Sequence, residues 1–132
     1  MNKIDYLKQL NLLNLDKNKY CIYGGGVMLM HGLKAETNDL DLLIDNNYLP
    51  ELLIKFGSRI VKIRQDKYVL DNTIDFVTDI FNIDQIDIIE GYPVCSLLVY
   101  RERLLLFNRE KDIGKVAIID EYMEHKKNRG SK

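Results

Sequence analysis

The segment from Tyr23 to Asp45, YGGGVMLMHGLKAETNDLDLLID, decides how the chain is read. A short β-prone run, Tyr20-Cys21-Ile22-Tyr23, passes directly into Gly24-Gly25-Gly26, and Val27 to Leu33 follows as a helix closing near Gly32. The first N–H groups of a helix have no intrahelical partner and carry partial positive charge, which suits a phosphate. Glycine there lets a ligand come close to the main chain. Further on, Asp39 to Asp45 alternates and then turns wholly apolar, as a half-buried strand does. The period of two puts Asp39 and Asp41 on one side and Leu40 and Leu42 on the other. Aspartate is depleted in strands, so an Asp-x-Asp inside an apolar run is unusual. Adjacent carboxylates repel unless a cation lies between them. Oxygen ligands at that spacing suit Mg²⁺ (or Mn²⁺), which keeps waters and completes its shell with substrate phosphates.

A third carboxylate, Asp75, stands in the β-prone run Thr73-Ile74-Asp75-Phe76-Val77. If that run lies beside the Asp39–Asp41 strand, the three acids converge on one part of a sheet. Asp71 and Asp79 share its parity, but Asp71-Asn72 has the chemistry of a turn and Asp79 lies at a strand end. Asp75 is therefore the expected partner.

Outward from this segment, Ile4, Leu7, Leu10 and Leu13 recur at intervals of three and predict a helix from Ile4 to Leu15, broken by Asp16-Lys17-Asn18. Tyr48 to Phe56, with Pro50 in its first turn, predicts a helix ending at Gly57. Strands are expected at Arg59–Arg64, Lys67–Leu70, Thr73–Thr78 and Gln85–Ile89, with a tight hairpin at Asp71-Asn72 and an end at Glu90-Gly91. After Pro93, Ser96 is a candidate N-cap for a helix to about Phe107, and a last helix is expected from Glu110 to Lys126. The expected architecture is α+β, a mixed β-sheet flanked by helices, in one domain over residues 1–132. Its parts are an N-terminal helix (1–18), a sheet core carrying the motif (19–91) and C-terminal helices (94–127).

The 132 residues suit one domain, and about a third are Leu, Ile, Val or Phe, ample for a packed core. Nineteen basic against 20 acidic residues leave a net charge of −1, so no strong nucleic-acid footprint is expected. No apolar run is long enough to span a bilayer, and Met1-Asn2-Lys3-Ile4-Asp5 lacks a signal-peptide core; a cytoplasmic protein is expected. Cys21 and Cys95 sit in apolar surroundings and read as buried free thiols.

Gly-Gly, a spacer, Asp-x-Asp on a strand and a lone Asp on a later strand together resemble the signature of the DNA polymerase β-like nucleotidyltransferase superfamily. The local match is to its small bacterial and archaeal members, with Gly24-Gly25, His31-Gly32, Lys34 and Thr37-Asn38-Asp39-Leu40-Asp41 in register. Arg109-Glu110-Lys111-Asp112-Ile113 resembles the start of the last helix in abortive-infection toxin-like relatives. The resemblance spans Tyr20 to Asp79 closely and the C-terminal helices loosely. It implies the polymerase β-like fold and a two-metal transfer of an NMP group from an NTP to a hydroxyl on a small molecule, a tRNA or a protein. In that reading Asp39, Asp41 and Asp75 are catalytic and hold Mg²⁺ or Mn²⁺, with Asp75 nearest the acceptor hydroxyl. Gly24, Gly25, Lys34, Thr37 and Lys111 are the nucleotide-binding candidates, with Thr37 also expected to brace the turn before Asp39, and Arg101 is a further candidate for the triphosphate. The chain departs from the pattern at Gly25, where serine is common, and at Lys34, where arginine is usual. It also lacks the larger helical region that shapes the acceptor site in drug- or tRNA-modifying relatives. A partner protein, as in toxin–antitoxin pairs, or a homodimer would then complete the acceptor site. The alternative expectation is a non-catalytic nucleotide-binding or interaction module that keeps the fold.

Overall fold

The structure, a computed structural model, describes residues 1–79 and 85–130. Helix α1 (Lys3–Leu12) is capped by Asn2, whose side-chain oxygen accepts from the Asp5 N–H at 2.9 Å. It ends earlier than the leucine spacing predicts, and Asn14 beyond it takes a left-handed backbone with φ 50°. Its buried stripe also differs from the expected one. Ile4 is 65% exposed, while Tyr6, Leu10 and Leu13 are buried. Steps of three drift around a helix of 3.6 residues per turn, whereas 6, 10 and 13 stay on one line.

Strand β1 (Tyr20–Tyr23) leads into α2 (Gly25–Met30), which begins inside the glycine run and is shorter than the expected Val27–Leu33. Strand β2 (Leu40–Asp45), helix α3 (Leu49–Phe56) and strands β3 (Ile60–Arg64), β4 (Lys67–Leu70) and β5 (Ile74–Asp79) follow close to their predicted positions. The β4–β5 turn uses left-handed Asp71 (φ 52°) and Asn72 (φ 63°), short polar residues that tolerate this region.

The next part corrects the sequence reading. Strand β6 (Ile86–Ile89) is followed by a further strand, β7 (Tyr92–Cys95), across a two-residue turn at Glu90 (φ 53°) and Gly91 (φ 82°). Pro93 stands opposite Ile88 in this hairpin, one residue before Val94 pairs with Ile22 of β1. The sheet therefore extends past residue 91 to Cys95. Ser96 caps α4 (Leu97–Phe107) as predicted, its hydroxyl accepting from the Val99 N–H at 3.2 Å. A 3₁₀ turn (Glu110–Asp112) precedes α5 (Ile113–Gly130), which runs past the predicted Lys126.

The seven strands are ordered β3-β4-β5-β2-β1-β7-β6. Strand β1 is antiparallel to β2 and parallel to β7, β2 is parallel to β5, and β3-β4-β5 form an antiparallel meander. The sheet is thus mixed and the fold α+β, as expected. Cross-strand register places Ile22, Leu42, Phe76 and Tyr68 on one face, all buried, with Phe56 of α3 against Phe76 at 6.4 Å between ring centroids. Cys21 and Cys95 are buried and free. Among the described residues no helix is long and apolar enough to cross a membrane.

Phe76 is fully buried at the middle of this face. Replacing it with alanine should lower stability by about 3–5 kcal/mol, read as a reduced denaturant midpoint at unchanged slope.

Candidate functional site

The opposite face of the sheet carries the polar cluster. Asp41 of β2 is in register with Tyr23 of antiparallel β1 and with Asp75 of parallel β5. The three side chains therefore form a row across neighbouring strands, which lie about 4.8 Å apart. This is the convergence expected of Asp41 and Asp75. Their carboxyl groups share a hydrogen bond, and Asp41 is pushed up to about 7. Burial is the main cause, followed by the hydrogen bond and charge of Asp75 and the charge of Asp39, with Lys67 opposing. Asp39 itself precedes β2 and is exposed, so it acts on the pair through its field.

Lys67 was not foreseen. From β4 its ammonium lies 3.7 Å from the Asp75 carboxylate, with both side chains about a third exposed. A sequence signal for it existed: the Asp71-Asn72 hairpin sets Val69 opposite Asp75, and Lys67, two residues away, shares that face.

The glycine run is shaped by what stands behind each residue. A Cβ on Gly24, whose φ is +59°, would come within 2.3 Å of Asp41 Oδ2. On Gly25 it would meet Thr37 Oγ1 at 2.3 Å, and on Gly26 the Tyr6 hydroxyl at 2.3 Å. Only glycine allows this turn to pass so close to the carboxylate. Thr37 is buried, its carbonyl accepting from the Met1 ammonium at 2.8 Å and its N–H donating to the Met1 carbonyl at 2.9 Å.

The other expected ligand-facing groups are distributed differently. Lys34 and Lys111 are exposed and make no ion pair with the aspartates or with any other described residue. Arg101 is engaged by Asp120 on α5, and Arg109 holds Asp112, a carboxylate only 1% exposed, at 2.6 Å together with Lys115 at 3.1 Å. Burial pushes Asp112 up, but the two cations outweigh it and hold it below the usual carboxylate range. His31 is packed at the end of α2, its Nε2 4.0 Å from Asp87, and burial lowers its pKa.

Beside Asp41 a second group assembles that sequence spacing did not reveal. The Tyr23 and Tyr100 rings meet edge-on at 5.8 Å and 87°, and the Arg103 guanidinium lies 5.5 Å from the centre of the Tyr23 ring. It depends on α4 packing over β1, which no local pattern encodes.

Two hydrogen-bonded carboxyl groups, one of them pushed up mainly by burial, gain from a positive charge between them, and the exposed Asp39 lies just before the same strand. Among the described residues no group of three or more His, Cys, Asp or Glu side chains is close enough to enclose an ion. The donors fit an open, oxygen-ligated ion whose remaining positions are filled from outside the protein.

A crystal structure of a candidate nucleotidyltransferase from Thermotoga maritima is similar to this chain, with a TM-score of 0.62 over 95% of this chain and 96% of that one. The likeness is one of fold. Sequence identity is 14%. No protein-family model and no curated protein matches the chain.

The raised pKa of Asp41 has a definite sign. Its carboxyl binds a proton in the folded state that the unfolded chain releases near pH 4, so folding is favoured at low pH. Without divalent cations, stability should therefore fall as pH rises from about 4 to about 7 and level off above that. Asp41→Asn should flatten this slope in thermal melts across the range.

Proposed function

We propose that this chain is a metal-dependent nucleotidyltransferase of polymerase β-like fold that moves an NMP group from an NTP to a hydroxyl acceptor. The observation that carries the reading is the register of Asp41 against Asp75 on adjacent parallel strands, beside a turn where any side chain on Gly24 would collide with Asp41. The fold likeness to the Thermotoga structure, whose description names this reaction class, supports it.

Asp41 and Asp75 would hold divalent cations, with the exposed Asp39 adding a further carboxylate; such cations would offset charge on the attacking and leaving oxygens and on the triphosphate. The chain's own groups supply position. Asp75 lies on the side of β4, facing the acceptor hydroxyl and taking its proton as the acceptor oxygen bonds to the α-phosphorus. The bond from that phosphorus to the β-phosphate oxygen breaks, and pyrophosphate leaves. Gly24 and Gly25 present backbone N–H groups to the triphosphate, and the absence of side chains keeps the approach open. Lys67 neutralises Asp75 until a cation is bound, then remains beside the acceptor as a positive charge. Since little covalent work falls to the protein, alignment and charge neutralisation supply the rate.

Purified protein should melt at a higher temperature with Mg²⁺ and an NTP together than with either alone, because ligand bound to the native state stabilises it by mass action. Pyrophosphate should appear once a hydroxyl acceptor is added. Asp41→Asn should abolish the nucleotide-dependent shift and reduce pyrophosphate release by about 10²-fold or more. Stabilisation by an NTP with no pyrophosphate from any acceptor would favour a non-catalytic nucleotide-binding module. No response to any of the four NTPs would sink the nucleotide reading.

A further inference from the structure

Tyr6 is fully buried, and its hydroxyl has no hydrogen-bond partner. A buried polar atom left unpaired opposes folding, and a phenylalanine would occupy the same space without that penalty. The position of the hydroxyl is informative. It is the nearest atom to the point where a Cβ on Gly26 would stand, 2.3 Å away, so it occupies the space beside that glycine. Thr37 Oγ1 and Asp41 Oδ2 occupy the corresponding space at Gly25 and Gly24. Three side-chain oxygens from three parts of the chain thus bear on three consecutive glycines, and one of them belongs to the paired carboxylate. The charge of Asp41 also reaches Tyr6, adding to burial in holding its proton.

We propose that Tyr6 is a positioning residue for the candidate site. Its hydroxyl acquires its hydrogen bond, to the backbone of the Gly24-Gly25-Gly26 turn, when Asp41 and the turn are engaged by a metal-bound nucleoside triphosphate. The proposal rests on the nucleotidyltransferase reading above. It explains why the turn needs glycine at its third position: any side chain at 26 would take the space of the hydroxyl. It also explains why a tyrosine is kept in a stripe whose other members, Leu10 and Leu13, are aliphatic. Tyr6 touches neither substrate nor metal and acts through the turn.

The test compares wild-type protein with Tyr6→Phe in thermal melts, alone and with Mg²⁺ plus ATP, GTP, CTP or UTP in turn. Tyr6→Phe should melt unliganded at the same temperature as wild type or higher, because an unpaired hydroxyl is removed. Its Mg²⁺–NTP-induced shift should fall to about half or less, and the KM for the NTP should rise about threefold or more at little-changed kcat. A purely structural role would give the opposite pattern: a lower unliganded melting temperature and an undiminished shift. Leu10→Ala, on the same buried stripe, provides that structural reference. A wild-type shift fully retained in Tyr6→Phe overturns the role of Tyr6 and leaves the nucleotide reading standing. No wild-type shift with any of the four nucleotides overturns both.

Discussion

Two carboxyl groups brought face to face on adjacent parallel strands are the constraint around which the rest of this molecule is arranged. Asp41 and Asp75 repel when both are ionised, and burial intensifies the repulsion by excluding the solvent that would screen it. The protein eases the pair in two ways: the pKa of Asp41 is pushed up, which favours its protonated form, and Lys67 stands beside Asp75. The same requirement accounts for the glycine at 24, since any side chain there would collide with the carboxylate. An arrangement this unfavourable in isolation persists because the opposite face of the same strands is sealed with Ile22, Leu42 and Phe76.

Much of this was legible in the sequence because it follows from local rules. A period of two put Asp39 and Asp41 on one side of a strand, and turn chemistry at Asp71-Asn72 excluded Asp71 and left Asp75 in the following strand. The Ser96 cap was readable for the same reason, since a hydroxyl meets an N–H three residues on. Whether the Asp75 strand would lie beside the Asp41 strand was not local. It depends on β5 pairing in parallel with β2 while β4 and β3 continue outward, an outcome decided by the whole sheet.

The misses have physical causes as well. The Tyr92–Cys95 strand contains Pro93, a residue that local rules disfavour in strands, paired with Ile88 just before Val94 meets β1. In α1 three-residue spacing among abundant leucines suggested the wrong stripe, and with it Tyr6 was overlooked. The Tyr23–Tyr100–Arg103 group joins residues almost eighty positions apart through the packing of α4, and no periodicity can announce such a meeting.

The central position of β1 has a consequence for the order of assembly. Its neighbour on one side, β2, follows within about twenty residues, whereas the other, β7, lies some seventy residues downstream. During synthesis, β1 to β5 emerge complete, with the carboxylate pair already in register, while one flank of β1 still offers unpaired N–H and C=O groups. The arrival of Tyr92–Cys95 closes that flank, and only then can α4 bring Tyr100 down against Tyr23. The paired acids are thus encoded in the first three-fifths of the chain, whereas the aromatic contact beside them waits for α4.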